Sequence, residues 1–227
     1  MKINEWMPLY HRIIQDFGYS EEMDRRGASV LNRLLERRRT TEPEEIERRI
    51  KGRRILIIGP AAILKTEIKD SEFDTIISAD GGIKNAKYMG LRTDIIVTDL
   101  DAPADALEME FDAGRNGAIM IIHAHGDNIP ALEKYLPNIE GRVMGTTQTI
   151  PFGKMHNFGG FTDGDRAAAI AAHFGAREIA LTGFNLKEPV LKDGRNMKTK
   201  KKKLEWAERI IRTLNPQPYI LHRDDAP

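Results

Sequence analysis

Six short, largely apolar runs separated by helical stretches constrain the fold of this chain more than any other feature. Runs of this kind, when helical segments alternate with them, are typical of strands buried on both faces of a parallel sheet. The pattern predicts an α/β fold with a doubly wound, mostly parallel, Rossmann-like sheet. The predicted strands are residues 55–58, 75–78, 95–98, 118–122, 142–144 and 178–181, and the clearest later helices are 83–89, 104–111, 165–174 and 201–214.

The first 52 residues lack this alternation and predict a small α-helical N-terminal region. Apolar residues recur at helical spacing over residues 6–17, and again from residue 20 or 24 to residue 39. A third helix is expected to begin at residue 41 or 42, where Pro43 suits the first turn. We therefore expect a helical region at 1–52 and a Rossmann-like α/β domain, carrying the functional site, at 53–227.

Composition and charge exclude several classes of site and partner. The chain has no cysteine, which excludes disulfides, iron–sulfur clusters and thiolate zinc sites. Lys and Arg total 35 against 34 Asp and Glu, and the charges of the N-terminal region are interleaved in sign, which favours a solvated surface over a nucleic-acid patch. No apolar stretch approaches the ~20 residues that span a bilayer, and the N-terminus lacks the apolar core of a signal peptide. We expect a cytoplasmic protein that binds neither nucleic acid nor membrane.

Acidic residues follow three consecutive predicted strands. Asp80 follows the second strand, Asp99 and Asp101 the third, and Asp127 the fourth. The carboxyl ends of parallel strands meet at one edge of the sheet, where open α/β folds bind ligands. Polar turns are common there, but four carboxylates at one edge repel one another unless a cation binds them. Oxygen ligands suit a hard cation, so we expect Mg²⁺ with substrate phosphates, and Asp99 and Asp101 would face one side if their strand extends that far.

Glycines at the same edge could admit a phosphate group. Gly59 follows the first strand, while Gly81 and Gly82 begin a predicted helix whose free N–H groups could face an anion. Neither G-x-G-x-x-G nor G-x-x-x-x-G-K-[ST] occurs, so a standard dinucleotide or P-loop site is unsupported. Further along the chain, Lys200 and Lys203 either neutralise a polyphosphate or simply begin a solvated helix.

A glycine- and aromatic-rich loop precedes the alanine-rich helix near residue 165. Asn157, Phe158 and Phe161 lie in this loop, and Asp163 follows it. The loop could cover a planar ring, or its aromatic residues could close the core, and the sequence favours neither interpretation.

His123 and His125 form an H-x-H pair beside Asp127 and Asn128. The segment is similar to the H-x-H-x-D-H motif of metallo-β-lactamase-type hydrolases, whose imidazoles bind zinc. Asn128 stands where that motif has its last histidine, and the parallel β/α pattern does not match the antiparallel sandwich of that family. A zinc hydrolase is therefore the less favoured interpretation.

Four segments in this order resemble the archaeal 6-hydroxymethyl-dihydropterin pyrophosphokinases and, more distantly, the catalytic domain of thiamine pyrophosphokinases. They are A-D-G-G at 79–82, V-T-D-L-D at 97–101, H-A-H-G-D-N at 123–128 and F-G-G-F-T-D-G-D-R at 158–166. The chain departs from the family pattern at Ala61, where a serine is expected, and at Asn185, where an aspartate is expected.

The resemblance implies a Rossmann-like enzyme that transfers pyrophosphate from ATP to the hydroxymethyl group of 6-hydroxymethyl-7,8-dihydropterin, with Mg²⁺, and releases AMP. A thiamine pyrophosphokinase-like acceptor, a D-x-D glycosyltransferase, the zinc hydrolase and a non-catalytic nucleotide-binding module stay open as alternatives. A homodimer is a base-rate expectation. On the main interpretation the metal binds Asp80, Asp99, Asp101 and Asp127, and three of these, Asp80, Asp101 and Asp127, also act in catalysis. The ATP contacts are expected to be Gly59, Gly81, Gly82, His125, Asn128, Thr146, Lys200 and Lys203. The pterin contacts are expected to be Asn157, Phe158, Phe161 and Asp163.

Overall fold

The computed structural model describes residues 1–62, 68, 70–185 and 197–221, in which eight strands form a single sheet. The strands are β1 (Arg54–Ile58), β2 (Thr75–Ala79), β3 (Ile95–Thr98), β4 (Ile119–Ala124), β5 (Arg142–Thr147), β6 (Met155–His156), β7 (Glu178–Thr182) and β8 (Tyr219–Ile220). Their order is β6-β5-β4-β3-β2-β1-β7-β8, and every pairing is parallel. The predicted Rossmann-like α/β fold is confirmed, with a sheet that is parallel throughout.

Eight α-helices connect and cover these strands in the described part of the chain. They are α1 (Ile3–Phe17), α2 (Glu21–Leu35), α3 (Pro43–Ile50), α4 (Gly82–Tyr88), α5 (Ala104–Arg115), α6 (Ile129–Tyr135), α7 (Asp163–His173) and α8 (Met197–Thr213). Each predicted helix is present, although α2 ends four residues before the predicted end at residue 39. The short elements β6, β8 and α6 were not predicted, because two strand residues or two helical turns carry too little periodicity to be recognised.

Alternate residues of each strand enter different cores, which explains why the runs are so apolar. In β1, Ile55 and Ile57 pack with α3 and α7 on one face, whereas Leu56 and Ile58 pack with α4 on the other. Helices thus cover both faces of the sheet, as a doubly wound fold requires. Because both faces are apolar, the strand ends are where polar side chains can be accommodated.

The N-terminal helices pack onto the same layers as the later helices. Leu31 and Leu35 of α2 share a core with Ile122 of β4, and Trp6 of α1 packs with Trp206 of α8. This packing brings α2 beside the loop that follows β4. The division at residue 52 into two units stays a prediction. No described helix is both long and apolar enough to cross a bilayer.

Candidate active site

Three of the four predicted metal-binding carboxylates lie together at the carboxyl edge of the sheet. Asp80 follows β2, and Asp99 and Asp101 follow β3; each offers a carboxylate oxygen, and these oxygens lie within 4.8 Å of one another. Asp80 is buried, Asp99 is partly buried and Asp101 is exposed, so the group opens to solvent on one side. Asp127 lies outside this set, on an exposed turn after β4. We refer to Asp80, Asp99 and Asp101 as the acid group.

A backbone turn, rather than strand alternation, brings Asp99 and Asp101 together. The strand β3 ends at Thr98, so the extended geometry that would place them on one side is absent. Leu100 has a φ of 64° and Asp80 a φ of 48°, and no other non-glycine residue in the described ranges has a positive φ. The Leu100 side chain is buried, and its N–H donates to Thr98 Oγ1 at 3.0 Å. Strained backbone concentrates at functional sites, and here it marks both turns that carry the acid group.

Two residues of the segment after β4 hold Asp99 in place. His125 Nε2 lies 3.2 Å from Asp99 Oδ2, and Asn128 Nδ2 donates to the Asp99 carbonyl oxygen at 2.8 Å. His125 Nδ1 accepts the Asp127 N–H at 3.2 Å, so the hydrogen of the neutral imidazole belongs on Nε2, facing Asp99. Both His125 and Asn128 therefore orient an acid-group residue.

Arg166 adds a buried positive charge close to the acid group. It lies on α7, and its Nη1 contacts Asp163 Oδ1 at 2.8 Å. Burial opposes the ionisation of Asp99, but His125, Arg166 and the Asp101 N–H outweigh it and lower the pKa of Asp99 to about 2. Burial and the neighbouring Asp99 raise the pKa of Asp163 well above its usual range, against the pull of Arg166. Arg166 was not among the predicted site residues, although it closes the segment at 158–166.

Glu110 is a second buried carboxyl group near the acid group, and no sequence pattern revealed it. It lies on α5, fully shielded from solvent, and neither of its side-chain oxygens has a well-formed hydrogen bond among the described residues. Burial and the charge of Asp80 raise the pKa of Glu110 well above its ordinary value, despite the nearby Thr98 hydroxyl. The environment therefore favours the neutral, protonated form of Glu110.

Packing alone requires glycine at two of the three predicted phosphate-binding positions. A Cβ on Gly59 would meet the Gly183 carbonyl oxygen at 2.6 Å, and a Cβ on Gly82 would lie 2.0 Å from the Ile58 carbonyl oxygen. A Cβ on Gly81 would meet only Pro60, at 3.6 Å. The backbone beside Gly81 therefore has room that the other two positions lack.

Three of the predicted ligand contacts are engaged within the protein. Each of these side chains makes a hydrogen bond or a ring contact with a neighbouring buried or partly buried group. Thr146 Oγ1 lies 3.2 Å from His123 Nδ1, Asn157 Nδ2 donates to the Thr149 carbonyl oxygen at 2.7 Å, and the Phe158 and Phe174 ring centroids lie 5.0 Å apart.

Phe161 and Lys203, predicted for the pterin and for ATP respectively, lie in one cluster. Lys203 Nζ is 5.7 Å from the Phe161 ring centroid and 5.9 Å from that of Tyr19, which lies between α1 and α2. The Phe17 ring centroid is 5.3 Å from that of Phe161. Lys200 lies one helical turn before Lys203 on α8. The N-terminal region thus contributes aromatic rings beside two predicted ligand-binding residues.

Sequence relatives identify the family. The family described as "6-hydroxymethylpterin diphosphokinase MptE-like" matches residues 30–190, well over half of the chain. A relative from Methanothermobacter thermautotrophicus is 38% identical over 93% of this chain and 94% of its own length. Relatives from Methanocaldococcus jannaschii and Pyrococcus furiosus are 35% and 37% identical, each over 94% of this chain. The chain belongs to the MptE-like family.

All three of these relatives carry the name 6-hydroxymethyl-7,8-dihydropterin pyrophosphokinase. Among solved structures, a MAf glycosyltransferase from Magnetospirillum magneticum aligns with 88% of this chain and 39% of its own, at 13% identity and a TM-score of 0.47. A likeness at that level assigns neither fold nor function.

Both histidines of the H-x-H segment contact other side chains of the protein. His123 is buried and its ring centroid is 6.2 Å from that of His125, while burial, with the charge of Arg166, lowers the pKa of His123 well below its usual range. Among the described residues, the acidic and imidazole groups close enough to share a metal are the three carboxylates, without either histidine. His125 contacts Asp99, and His123 contacts Thr146.

Proposed function

We propose that this protein transfers pyrophosphate from ATP to the hydroxymethyl group of 6-hydroxymethyl-7,8-dihydropterin in a Mg²⁺-dependent reaction that releases AMP. The observation that carries the proposal is the acid group at the carboxyl edge of the sheet, in a chain whose curated relatives are named pyrophosphokinases for this pterin. The reaction class and the ATP co-substrate follow from those names. The metal and the residue roles are inferred from the arrangement of side chains.

The acid group fits Mg²⁺ by the chemistry of its donors. Asp80, Asp99 and Asp101 offer carboxylate oxygens only, which suit a hard divalent cation. A triphosphate could not approach these carboxylates without a counter-ion, because the charges have the same sign. Bound Mg²⁺ would neutralise phosphate oxygens as negative charge shifts toward the leaving AMP.

Other side chains would align the reactants and accept the proton that is released. The pterin hydroxyl attacks the β-phosphorus of ATP, the bond from this phosphorus to the α-phosphate oxygen breaks, and AMP leaves. Phosphoryl chemistry of this kind depends mainly on alignment and charge neutralisation. His125 and Asn128 fix Asp99, and Asp127, exposed on the same turn, accepts the proton of the attacking hydroxyl.

The bound substrates would extend from the acid group toward the N-terminal helices. Gly81 would present backbone to the phosphates, with Gly59 and Gly82 shaping the turns on either side, and Lys200 and Lys203 would neutralise the nucleotide. Phe161, beside Lys203, is the better placed of the predicted pterin contacts, because Phe158 packs in the core. A cytoplasmic location and a homodimer belong to the same proposal.

Release of AMP from ATP and Mg²⁺, measured with the pterin, with thiamine and with neither, tests this function. Pterin-dependent AMP, with one diphosphorylated pterin formed per AMP, is expected. AMP with thiamine alone would move the acceptor to that of the related pyrophosphokinases. Absence of AMP with either alcohol would overturn the assignment and make nucleotide-sugars the next substrates to test.

A further inference from the structure

Asp24 of α2 is a buried carboxylate surrounded by hydrogen-bond donors. Its Oδ2 accepts Tyr10 Oη–H at 2.8 Å and Gln148 Nε2–H at 2.7 Å, and its Oδ1 accepts the Gly126 backbone N–H at 3.0 Å. Only 5% of the residue is exposed. One side chain therefore joins α1, α2, the end of β5 and the turn after β4.

The helix α2 and this turn approach each other at backbone distance. A Cβ on Gly27 would lie 2.4 Å from the His125 carbonyl oxygen, and a Cβ on Gly126 would lie 2.8 Å from Met23 Cβ. The absence of side-chain atoms at both glycines allows α2 to seat directly on the turn. The hydrogen bond from Gly126 to Asp24 then fixes the position of the turn against the helix.

The same turn fixes Asp99. Asn128 Oδ1 accepts the His125 N–H at 3.0 Å, while Asn128 Nδ2 donates to the carbonyl oxygens of Asp99 and His123 at 2.8 and 2.7 Å. The His125 imidazole, set by the Asp127 N–H on Nδ1, reaches Asp99 Oδ2. Hydrogen bonds, together with the backbone of residues 125–128, thus connect α2 to the acid group.

We propose that Asp24 is a positioning residue for the acid group: by holding the Gly126 N–H, it orients His125 and Asn128 and, through them, Asp99. The helical N-terminal region is then part of the active-site machinery rather than an appendage. This inference rests on the proposed function only in taking Asp99 as a metal ligand.

Variants that remove different hydrogen-bond partners of Asp24 test the proposal. Asp24→Ala removes the oxygen that accepts the Gly126 N–H. Asp24→Asn keeps an oxygen for Gly126, and the Gln148 amide would rotate so that its oxygen accepts a hydrogen bond from the new Nδ2. Tyr10→Phe removes a partner of Oδ2 and leaves the Gly126 contact intact. Asn32→Ala is the matched control on α2, because Asn32 Oδ1 accepts the Lys154 N–H, at 2.8 Å, and not a donor of the turn.

Two readouts, taken well below the unfolding temperature, distinguish positioning from simple destabilisation. The first is Mn²⁺ affinity of the substrate-free protein, measured by electron paramagnetic resonance. The second is the tautomer of His125, read from long-range ¹H–¹⁵N NMR correlations. Changing the partners that orient metal ligands typically weakens metal binding by about 10–100-fold, and we expect about tenfold for Asp24→Ala. His125 in this variant should also no longer carry its hydrogen on Nε2 alone.

Wild-type affinity and tautomer are expected for Tyr10→Phe and Asn32→Ala, and nearly so for Asp24→Asn. If Asp24→Ala does not fold, Asp24→Ser, whose hydroxyl is too short to reach Gly126, makes the same comparison. Unchanged Mn²⁺ affinity and an unchanged tautomer in the Ala or Ser variant would overturn the positioning role. If the wild-type protein binds no Mn²⁺, the metal in the proposed function fails, and the His125 tautomer alone decides whether Asp24 sets the turn.

Discussion

Asp24 and the acid group lie at the same edge of one sheet, yet the neighbours of their carboxylates differ. Asp24, beside the loops after β4 and β5, receives three hydrogen bonds from Tyr10, Gln148 and Gly126. The acid group, after β2 and β3, gathers three carboxylates within 4.8 Å. A carboxylate rich in donors is satisfied by the protein itself. Carboxylates crowded against each other repel, which favours the binding of a cation.

The acids around the acid group reinforce this difference. Burial, with the charge of Asp80, raises the pKa of Glu110, and burial, with the charge of Asp99, raises the pKa of Asp163. Part of each rise comes from the carboxylates at the ends of β2 and β3, where negative charge is concentrated. The partners of a carboxylate, rather than its burial, therefore distinguish Asp24 from the acid group.

Removing one carboxylate of the acid group should produce the largest effect on activity. We expect Asp99→Asn or Asp101→Asn to lower kcat/KM for pyrophosphate transfer by roughly 10²-fold or more, about 2.7 kcal/mol of transition-state stabilisation. Asp127→Asn should lower the rate through proton transfer while leaving Mn²⁺ affinity near that of the wild type, because Asp127 lies outside the group. Steady-state kinetics and Mn²⁺ titrations of the three variants make the comparison.

The differences among these three variants are as informative as the size of each loss. Unchanged turnover of Asp101→Asn at saturating Mg²⁺ would remove Asp101 from the metal site. A loss of Mn²⁺ affinity in Asp127→Asn that equals the loss in Asp99→Asn would place Asp127 among the ligands, despite its separate position.

Two adjacent glycines provide a comparison at the end of β2. Gly82→Ala should lower the free energy of unfolding by about 3 kcal/mol, because its Cβ would lie 2.0 Å from the Ile58 carbonyl oxygen and the backbone must move. Gly81→Ala meets only Pro60, at 3.6 Å, and should fold normally. Chemical denaturation measures both, and the KM for ATP of Gly81→Ala shows whether the open backbone there serves the nucleotide. A stable Gly82→Ala protein would contradict the packing explanation.

The fold could be predicted from the sequence because its signals are local and repeated. The six predicted strands are largely apolar runs, and burial on both faces of the sheet explains why residues such as Ile55 and Leu56 are both apolar. The clustering of Asp80 with Asp99 also follows from sequence, because parallel strands end at one edge. The turn at Leu100 could not be predicted, since a buried leucine with positive φ is exceptional.

The missing parts of the site lie on elements distant in the chain. Asp24 is separated by 102 residues from Gly126 and by 124 from Gln148, and neither contact leaves a periodic signal. Glu110 occupies an inward-facing helix position that a charged residue seldom takes. The acid group could be recognised because each of its residues lies just after a predicted strand; its supports could not, because tertiary packing alone brings them together.

Tyr10→Phe removes one of the three hydrogen-bond donors of Asp24. The hydroxyl of Tyr10 donates to the buried Asp24 carboxylate, and burial together with that charge raises the pKa of Tyr10. Loss of a hydrogen bond to a charged group costs about 1.5–3 kcal/mol, so we expect a decrease of that size in the free energy of unfolding. Pyrophosphate transfer at 25 °C should be unaffected. A variant as stable as the wild type would show that the Asp24 cluster contributes little to folding.

Glu110→Gln should give the smallest effect, and its sign is fixed by proton linkage. The folded-state pKa of Glu110 lies above the unfolded value, so the folded state binds more protons, and wild-type stability falls as pH rises above the ordinary glutamate pKa. Glutamine cannot titrate, so the free energy of unfolding of Glu110→Gln should rise relative to that of the wild type between pH 5 and pH 6, by at most about 1.4 kcal/mol. In a protein of this size, 1 kcal/mol corresponds to roughly 2–4 °C in Tm. Glu108→Gln, exposed on the same helix, is the matched control and should leave the pH dependence as it is. A gap between Glu110→Gln and the wild type that is constant with pH would mean that folding does not shift the pKa of Glu110, and it would contradict the influence assigned to burial and to the charge of Asp80.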